Sequence, residues 1–195
     1  MFSQTSNYQK FKKLSTPKKW WVLLHPLKAK KSLLISKETN RVADSIKKTK
    51  TLDGDASGGQ VDAFRHAYWM ASLRLEIGKS AAKSLGKAHE KENYQYYKEK
   101  KLEHGTIPDK ASMDMDLFNN NIGLSLVKKG EKISKKHLIK KIIAAIKNGK
   151  MKIIKKDKKR RFLTCDGNLI SKESLVGKWV NNKCLVKSNN TAAAK

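Results

Sequence analysis

The excess positive charge of this chain is confined to its two ends, and its middle is electrically balanced. Residues 1–50 carry 13 basic and 2 acidic side chains, residues 126–195 carry 21 and 4, and residues 51–125 carry 10 and 11. The basic flanks thus read as recruitment or solvation around a balanced core. The whole chain has 195 residues, a net charge of +27 and 38% hydrophobic residues, which supports one modest core. Of its 44 basic residues, 39 are Lys and 5 are Arg. Lys is a hydrated point charge, whereas Arg is the fork that reads base edges, so this bias does not point to sequence-specific nucleic-acid readout. Two readings of the flanks stay open: attraction to an anionic polymer or lipid, and a solubilising surface.

Several classes are excluded early. The longest apolar run, Trp20-Trp21-Val22-Leu23-Leu24, is too short to span a bilayer. The N-terminus lacks the basic start, apolar core and small-residue cleavage site of a secretory signal. Cytoplasmic placement is therefore the default expectation, with export by a route that cleaves no signal as the other option. Cys165 and Cys184 make neither a disulfide scaffold nor a zinc cluster, and the sequence leaves their pairing open. No His-Glu-x-x-His, Gly-x-Ser-x-Gly or phosphate-loop pattern occurs.

Periodicity predicts a mainly α chain: a compact domain of about five helices over residues 20–150, with a small C-terminal β-hairpin appendage at 151–186. Residues 1–19 read as a flexible basic leader and 187–195 as a disordered tail. A short segment from Thr16-Pro17 runs through the Trp pair to His25-Pro26. Over residues 27–50, Leu33, Leu34, Val42, Ala43 and Ile46 fit the inner face of an amphipathic helix. Helices follow over 61–77 and 80–101. Another has Ser112 as its N-cap, with Asp114 and Asp116 in the first turn and Met113, Leu117 and Leu124 as the core stripe. Ser134 caps a last helix over 135–147, with Leu138, Ile142, Ala145 and Ile146 inward. Residues 151–154 and 161–164 read as short strands, and Asp166-Gly167-Asn168 as a turn.

The chemistry-bearing residues fall in three pieces of the motif core, residues 50–127. In the first, Asp62 and His66 are four apart and share a helix face, with Arg65 beside them and Trp69 placed to wall a pocket. The second is Gly86-Lys87-Ala88-His89-Glu90, where His89 follows the apolar side of Ala82 and Leu85. In the third, Asp116, Asn120 and Gly123 make a polar stripe beside Asn119. A glycine inside a helix costs ~1 kcal/mol relative to Ala and so implies close approach of another helix. Spacing alone favours a buried hydrogen-bond network that fixes helix packing, and the same residues would also make an acid–base or metal site. The loop Asp53-Gly54-Asp55-Ala56-Ser57-Gly58 matches the first half of a calcium loop, but its twelfth position is Phe64. Asp62 at the tenth would have to substitute, and an Asx turn is the simpler reading.

These pieces resemble an uncharacterised bacterial domain family. Its members carry Asp-Ala-Phe-Arg-His-Ala-x-Trp, Ala-His-Glu and Met-Asp-Leu-x-Asn-Asn-x-x-Gly in that order, as residues 62–69, 88–90 and 115–123 do here. The resemblance implies a small helical domain in which Asp62, Arg65, His66, His89, Glu90, Asp116, Asn119 and Asn120 are the polar signature. Members sometimes sit in secreted or toxin-like proteins, so it also admits a toxin-like effector.

The resulting expectation is a hydrolase-like enzyme acting on an anionic substrate. His66 serves as general base or metal ligand, oriented by Asp62. His89 and Glu90 act as partner acid or second ligand, and Asp116 joins His66 and His89 around a divalent metal ion. Arg65, Trp69, Asn119 and Asn120 bind substrate. The alternative is a non-enzymatic protein that binds nucleic acid or anionic lipid, with structural central motifs.

Overall fold

Prolines and side-chain caps mark several of the helix starts. The computed structural model describes residues 7–103 and 106–191. Within them the chain runs through α1 (Asn7–Lys12), α2 (Thr16–Leu24), α3 (Pro26–Lys47), α4 (Gln60–Ile77), α5 (Lys79–Lys98), α6 (Lys110–Ser125), α7 (Lys135–Lys147), β1 (Lys152–Ile154), α8 (Lys172–Leu175) and β2 (Leu185–Lys187). Pro17 and Pro26 sit in the first turns of α2 and α3, where a missing N–H is harmless. Ser134 caps α7 by accepting the His137 N–H at 3.2 Å. The protein is mainly α, and among the described residues no helix is long and apolar enough to cross a membrane.

α4 organises the rest, because it is buried along most of its length. Val61, Phe64, Ala67, Tyr68 and Ala71 pack with Val42 and Ala43 of α3, Leu138, Ile142 and Ile146 of α7, and Met151 and Ile153 at β1. Met70, Leu73 and Ile77 pack instead with Trp21 of α2, Ala82, Leu85 and Ala88 of α5, and Leu124 of α6. Each fully buried Leu, Ile, Met or Phe contributes about 1.5–3 kcal/mol. Gly78, at φ 83°, turns the chain sharply between α4 and α5. The two helices therefore run back along each other, and the N-terminal half of α4 meets the C-terminal half of α5. Here the apolar clusters give way to Asp62, His66, Glu90, Glu92 and Asn93, all buried.

Four expectations need correction. α6 opens three residues before Ser112: Asp109 is the N-cap, its carboxylate accepts the Ser112 N–H at 2.8 Å, and Ser112 Oγ accepts the Asp109 N–H at 3.0 Å in a capping box. Asp114 and Asp116 therefore lie beyond the first turn. The buried face of α6 carries Met115, Asp116, Asn119, Asn120, Gly123 and Leu124, while Met113 and Leu117 are only half-buried. On α3, Ser32 and Thr39 point inward and Leu33 and Leu34 outward. In both helices polar residues occupy the inner face, which hydrophobic periodicity cannot register. Lastly, β1 pairs antiparallel with β2, Ile153 opposite Val186, and not with residues 161–164. Those residues make only isolated bridges, Lys156 with Phe162 and Leu163 with Leu169. A Cys165–Cys184 disulfide, with Cα atoms 4.9 Å apart, ties this loop to the chain entering β2. The expectation of about five helices is met by α3 to α7, to which the short α1, α2 and α8 are added. The leader expected over 1–19 contains α1 and the start of α2, and its first six residues lie outside the described residues, as do 192–195 of the tail.

Candidate functional site

The loop before α4 prepares the site. Asp53 accepts the N–H groups of Asp55 and Gln60 at 2.9 and 2.8 Å, and Asp55 accepts that of Ser57 at 3.0 Å. The contacts to Asp55 and Ser57 are Asx turns, and the one to Gln60 ties the loop to the start of α4. The Lys156 ammonium lies 2.6 Å from Asp55 Oδ2 and also donates to the Ser57 carbonyl, so this loop's cation is a lysine, not calcium. Gly58, at φ 85°, turns its N–H onto Asp62 Oδ2 at 2.7 Å. Asp62 is thereby fixed, and its other oxygen takes the Arg65 guanidinium.

Around His66 three elements converge. Asn120 Oδ1 of α6 lies 3.2 Å from Nδ1, which places the ring proton on Nδ1 as the network assigns it. Nε2 then presents a lone pair. It faces Asp116 Oδ1 at 3.2 Å and Asp62 Oδ1 at 3.6 Å. Neither Nε2 nor Asp116 Oδ1 finds a hydrogen-bond partner among the described residues. One ligand atom from each of Asp62, His66 and Asp116 lies within 4.8 Å of the others. Two donors about 2.1 Å from a shared ion stand roughly 3–3.6 Å apart, so these separations suit a divalent first-row cation. Burial pushes the His66 imidazole well below its ordinary range, with Arg65 and His89 adding to it, and so keeps the ring neutral. Burial also pushes the Asp116 carboxyl well up, reinforced by Asp62 and Glu90. Arg65 is buried too, yet Asp62, Asp116 and Glu103 outweigh that burial and hold its charge more firmly.

His89 stands next to this trio, not in it. Its ring is 6.3 Å from that of His66, and Trp69 packs edge-on against it at 5.5 Å. Its two nitrogens face Glu92 at 3.4 Å and Glu103 at 3.0 Å. Burial works against its charge, but the bonds to Glu103 and Glu92, with Glu90 nearby, raise it to about 9. Both nitrogens face carboxylates and the ring stands apart from His66, so the cluster that converges on His66 Nε2 comprises Asp62 and Asp116 without His89. Glu90 is buried and raised by burial, with one oxygen 3.2 Å from Asn93 Nδ2. Asn119 is turned away from the trio. Its amide accepts from and donates to the Lys152 backbone, both at 2.9 Å, and so ties α6 to β1. Trp69 donates to Ser36 Oγ at 2.9 Å and walls a pocket of about 160 Å³ with Lys18, His66 and His89.

Three contributors were missed. Glu92 stands three residues after His89, so helix spacing could have found it. Glu103 comes from the loop after α5 and Lys18, which pairs with Glu92, from α2. No local pattern marks either. A pH dependence follows. His89 is raised from 6.5, so its contribution to stability is full below pH 6.5 and is lost as pH rises towards about 9. Glu92 and Glu103 are depressed from 4.5 to about 2, against the opposing effect of burial, by His89 and, for Glu92, Lys18. Their contribution is present above pH 4.5 and is lost as pH falls towards 2. Thermal melts are expected to show wild type losing on the order of 2 kcal/mol between pH 6.5 and 9 relative to His89→Gln. Parallel pH profiles for the two proteins would contradict this.

On the far side of Asp62, Arg65 and Asp116 opens a cleft of about 630 Å³, also lined by Glu103, Lys172 and Lys183. Its outer wall comes from the C-terminal segment. Lys183 and Asn181 bond Asp109 at the start of α6, and Trp179 packs against Tyr94 and Tyr97 of α5. Fold and site together define a mainly α domain holding a buried Asp–His–Asp cluster at the base of a cleft lined by both carboxylates and lysines. The chain belongs to the family described as Domain of unknown function (DUF6973), whose model matches residues 19–150. That span begins inside α2, ends just past α7 and contains all three motifs, whereas Lys172 and Lys183 lie beyond it. No curated protein and no solved structure matches the chain significantly.

Proposed function

We propose that this protein is a metal-dependent hydrolase acting on an anionic substrate, with a phosphodiester as the fitting class. The observation that carries the reading is the convergence of His66 Nε2, Asp62 Oδ1 and Asp116 Oδ1, with neither Nε2 nor Asp116 Oδ1 hydrogen-bonded among the described residues. When bound there, a divalent cation supplies Lewis acidity and lowers the pKa of a water. The chain's own residues do the rest. Asn120 fixes the His66 tautomer, the Gly58 N–H and Arg65 orient Asp62, and Lys172 and Lys178 on the cleft wall attract the substrate's charge. His89, raised to about 9 and 14% exposed, serves as the proton donor beside the cluster.

The test is ion binding with a paired assay. Dialysed wild type is expected to take up one Mn2+ per chain and to release p-nitrophenol from bis(p-nitrophenyl) phosphate only when loaded. His66→Ala is expected to bind none while keeping its helical circular dichroism. Wild-type Mn2+ affinity in His66→Ala would overturn the reading. The second reading, a non-enzymatic polyanion binder, is favoured by the confinement of excess charge to the flanks. It differs in leaving binding to His66→Ala unchanged and steeply salt-dependent.

A further inference from the structure

Trp20 and Trp21 point in opposite directions. Trp21 is buried, and its Nε1 donates to the Ala81 carbonyl at 3.1 Å and Ser84 Oγ at 2.9 Å. That anchors α2 on α5 and turns the other face outward. On the outward face Trp20 is 62% exposed, Leu23 59%, Leu24 73%, and Leu27, at the elbow where α2 gives way to α3, 96%. Four large apolar side chains within eight residues are thus offered to solvent at one convex corner. None of them lines any of the clefts described above. The charge around them is of one sign. The first acidic residue of the chain is Glu38, and nine lysines precede it. Lys18 and Lys31 pair with Glu92 and Glu76, and the others have no carboxylate partner among the described residues. Lys28 and Lys30 directly follow the apolar tip.

We infer that the α2–α3 elbow is a docking surface for an anionic lipid bilayer. Its shape and chemistry choose this occupant. A projecting Trp–Leu tip needs a soft apolar medium and not a complementary groove, and an indole favours the headgroup boundary. Lysines flanking the tip keep their stems on the apolar side and their ammonium groups among anionic headgroups, and each adds attraction within a Debye length. Duplex nucleic acid would use the lysines but has nothing for three leucines. The elbow is independent of the metal reading.

The experiment is co-sedimentation of the full chain with large unilamellar vesicles. Vesicles of phosphatidylglycerol and phosphatidylcholine in equal parts are expected to bind wild type far better than phosphatidylcholine alone. Trp emission should shift to the blue on binding, and Trp20→Phe should remove that shift. Leu24→Asp/Leu27→Asp, both at exposed positions and expected to melt like wild type, should lose at least ~10-fold in vesicle affinity. Lys28→Glu/Lys30→Glu should lose several-fold. Three results would each overturn the inference. One is equal binding to both vesicle types, and another is wild-type binding by the Leu double variant. The third is a duplex DNA or self-association partner that the Leu variant loses while vesicle binding persists.

Discussion

Gly123→Ala is expected to destabilise the protein by about 3 kcal/mol, a fall of roughly 10 °C in melting temperature for a chain of this size. Helix propensity predicts the opposite sign, since Ala inside a helix is favoured over Gly by about 1 kcal/mol. Packing decides the matter. A Cβ at Gly123 would lie 2.7 Å from Ala67 Cα and closer still to the Ala67 carbonyl oxygen. Those are backbone atoms of α4 and cannot rotate away, so α6 and α4 would have to separate. Separation carries Asp116 and Asn120 away from His66, so a weakened cation site should accompany the lost stability. Gly86→Ala is the control. The nearest atoms to a Cβ there are Asn120 Nδ2 and the Met70 side chain, at 3.4 Å, so the change should lie near zero or be stabilising. Urea unfolding of both variants reads the contrast, and a Gly123→Ala protein more stable than wild type would contradict the close approach.

That glycine shows how much the sequence alone could carry. Gly123 inside a helical run signalled a near neighbour, and the neighbour is there. The face it shares was harder to read. α6 buries Asp116, Asn119 and Asn120 beside Met115, and α3 buries Ser32 and Thr39, with Ser32 Oγ donating to the Lys28 carbonyl at 2.9 Å. A polar group buried with a partner looks, in a hydrophobicity pattern, like a solvent-facing one. Asp62 and His66 were legible because four residues is one helix turn. Asp116 and Asn120 were legible as a polar stripe with Gly123, and the motif resemblance picks out the same residues. Lys18 reaches Glu92 across 74 positions, and no local pattern encodes such a pair. The β1–β2 pairing likewise joins segments about thirty residues apart. The turn at Asp166-Gly167-Asn168 is real, with Gly167 at φ 91°, but it closes a loop pinned by a disulfide instead of joining two ladder strands.

Asp62 is where the packing-network reading and the metal reading separate. Asp62→Ala is expected to cost about 3–5 kcal/mol, because it strands the Arg65 guanidinium in a buried position and leaves the Gly58 N–H without its 2.7 Å acceptor. It should also abolish Mn2+ binding. That result alone does not distinguish the readings, since an unfolded site binds nothing. The double variant Asp62→Ala/Arg65→Met does. Removing the stranded charge along with its partner takes away the larger penalty, so most of the lost stability should return, while the ligand oxygen stays absent. Under the metal reading the double variant folds and binds no Mn2+. If Asp62 serves only to hold α4 to the Gly58 turn, the refolded double variant binds the ion as wild type does through His66 and Asp116. Urea midpoints and Mn2+ titration on the same preparations therefore assign Asp62 to one role or the other, because stability and ion affinity change together under the packing account and come apart under the other.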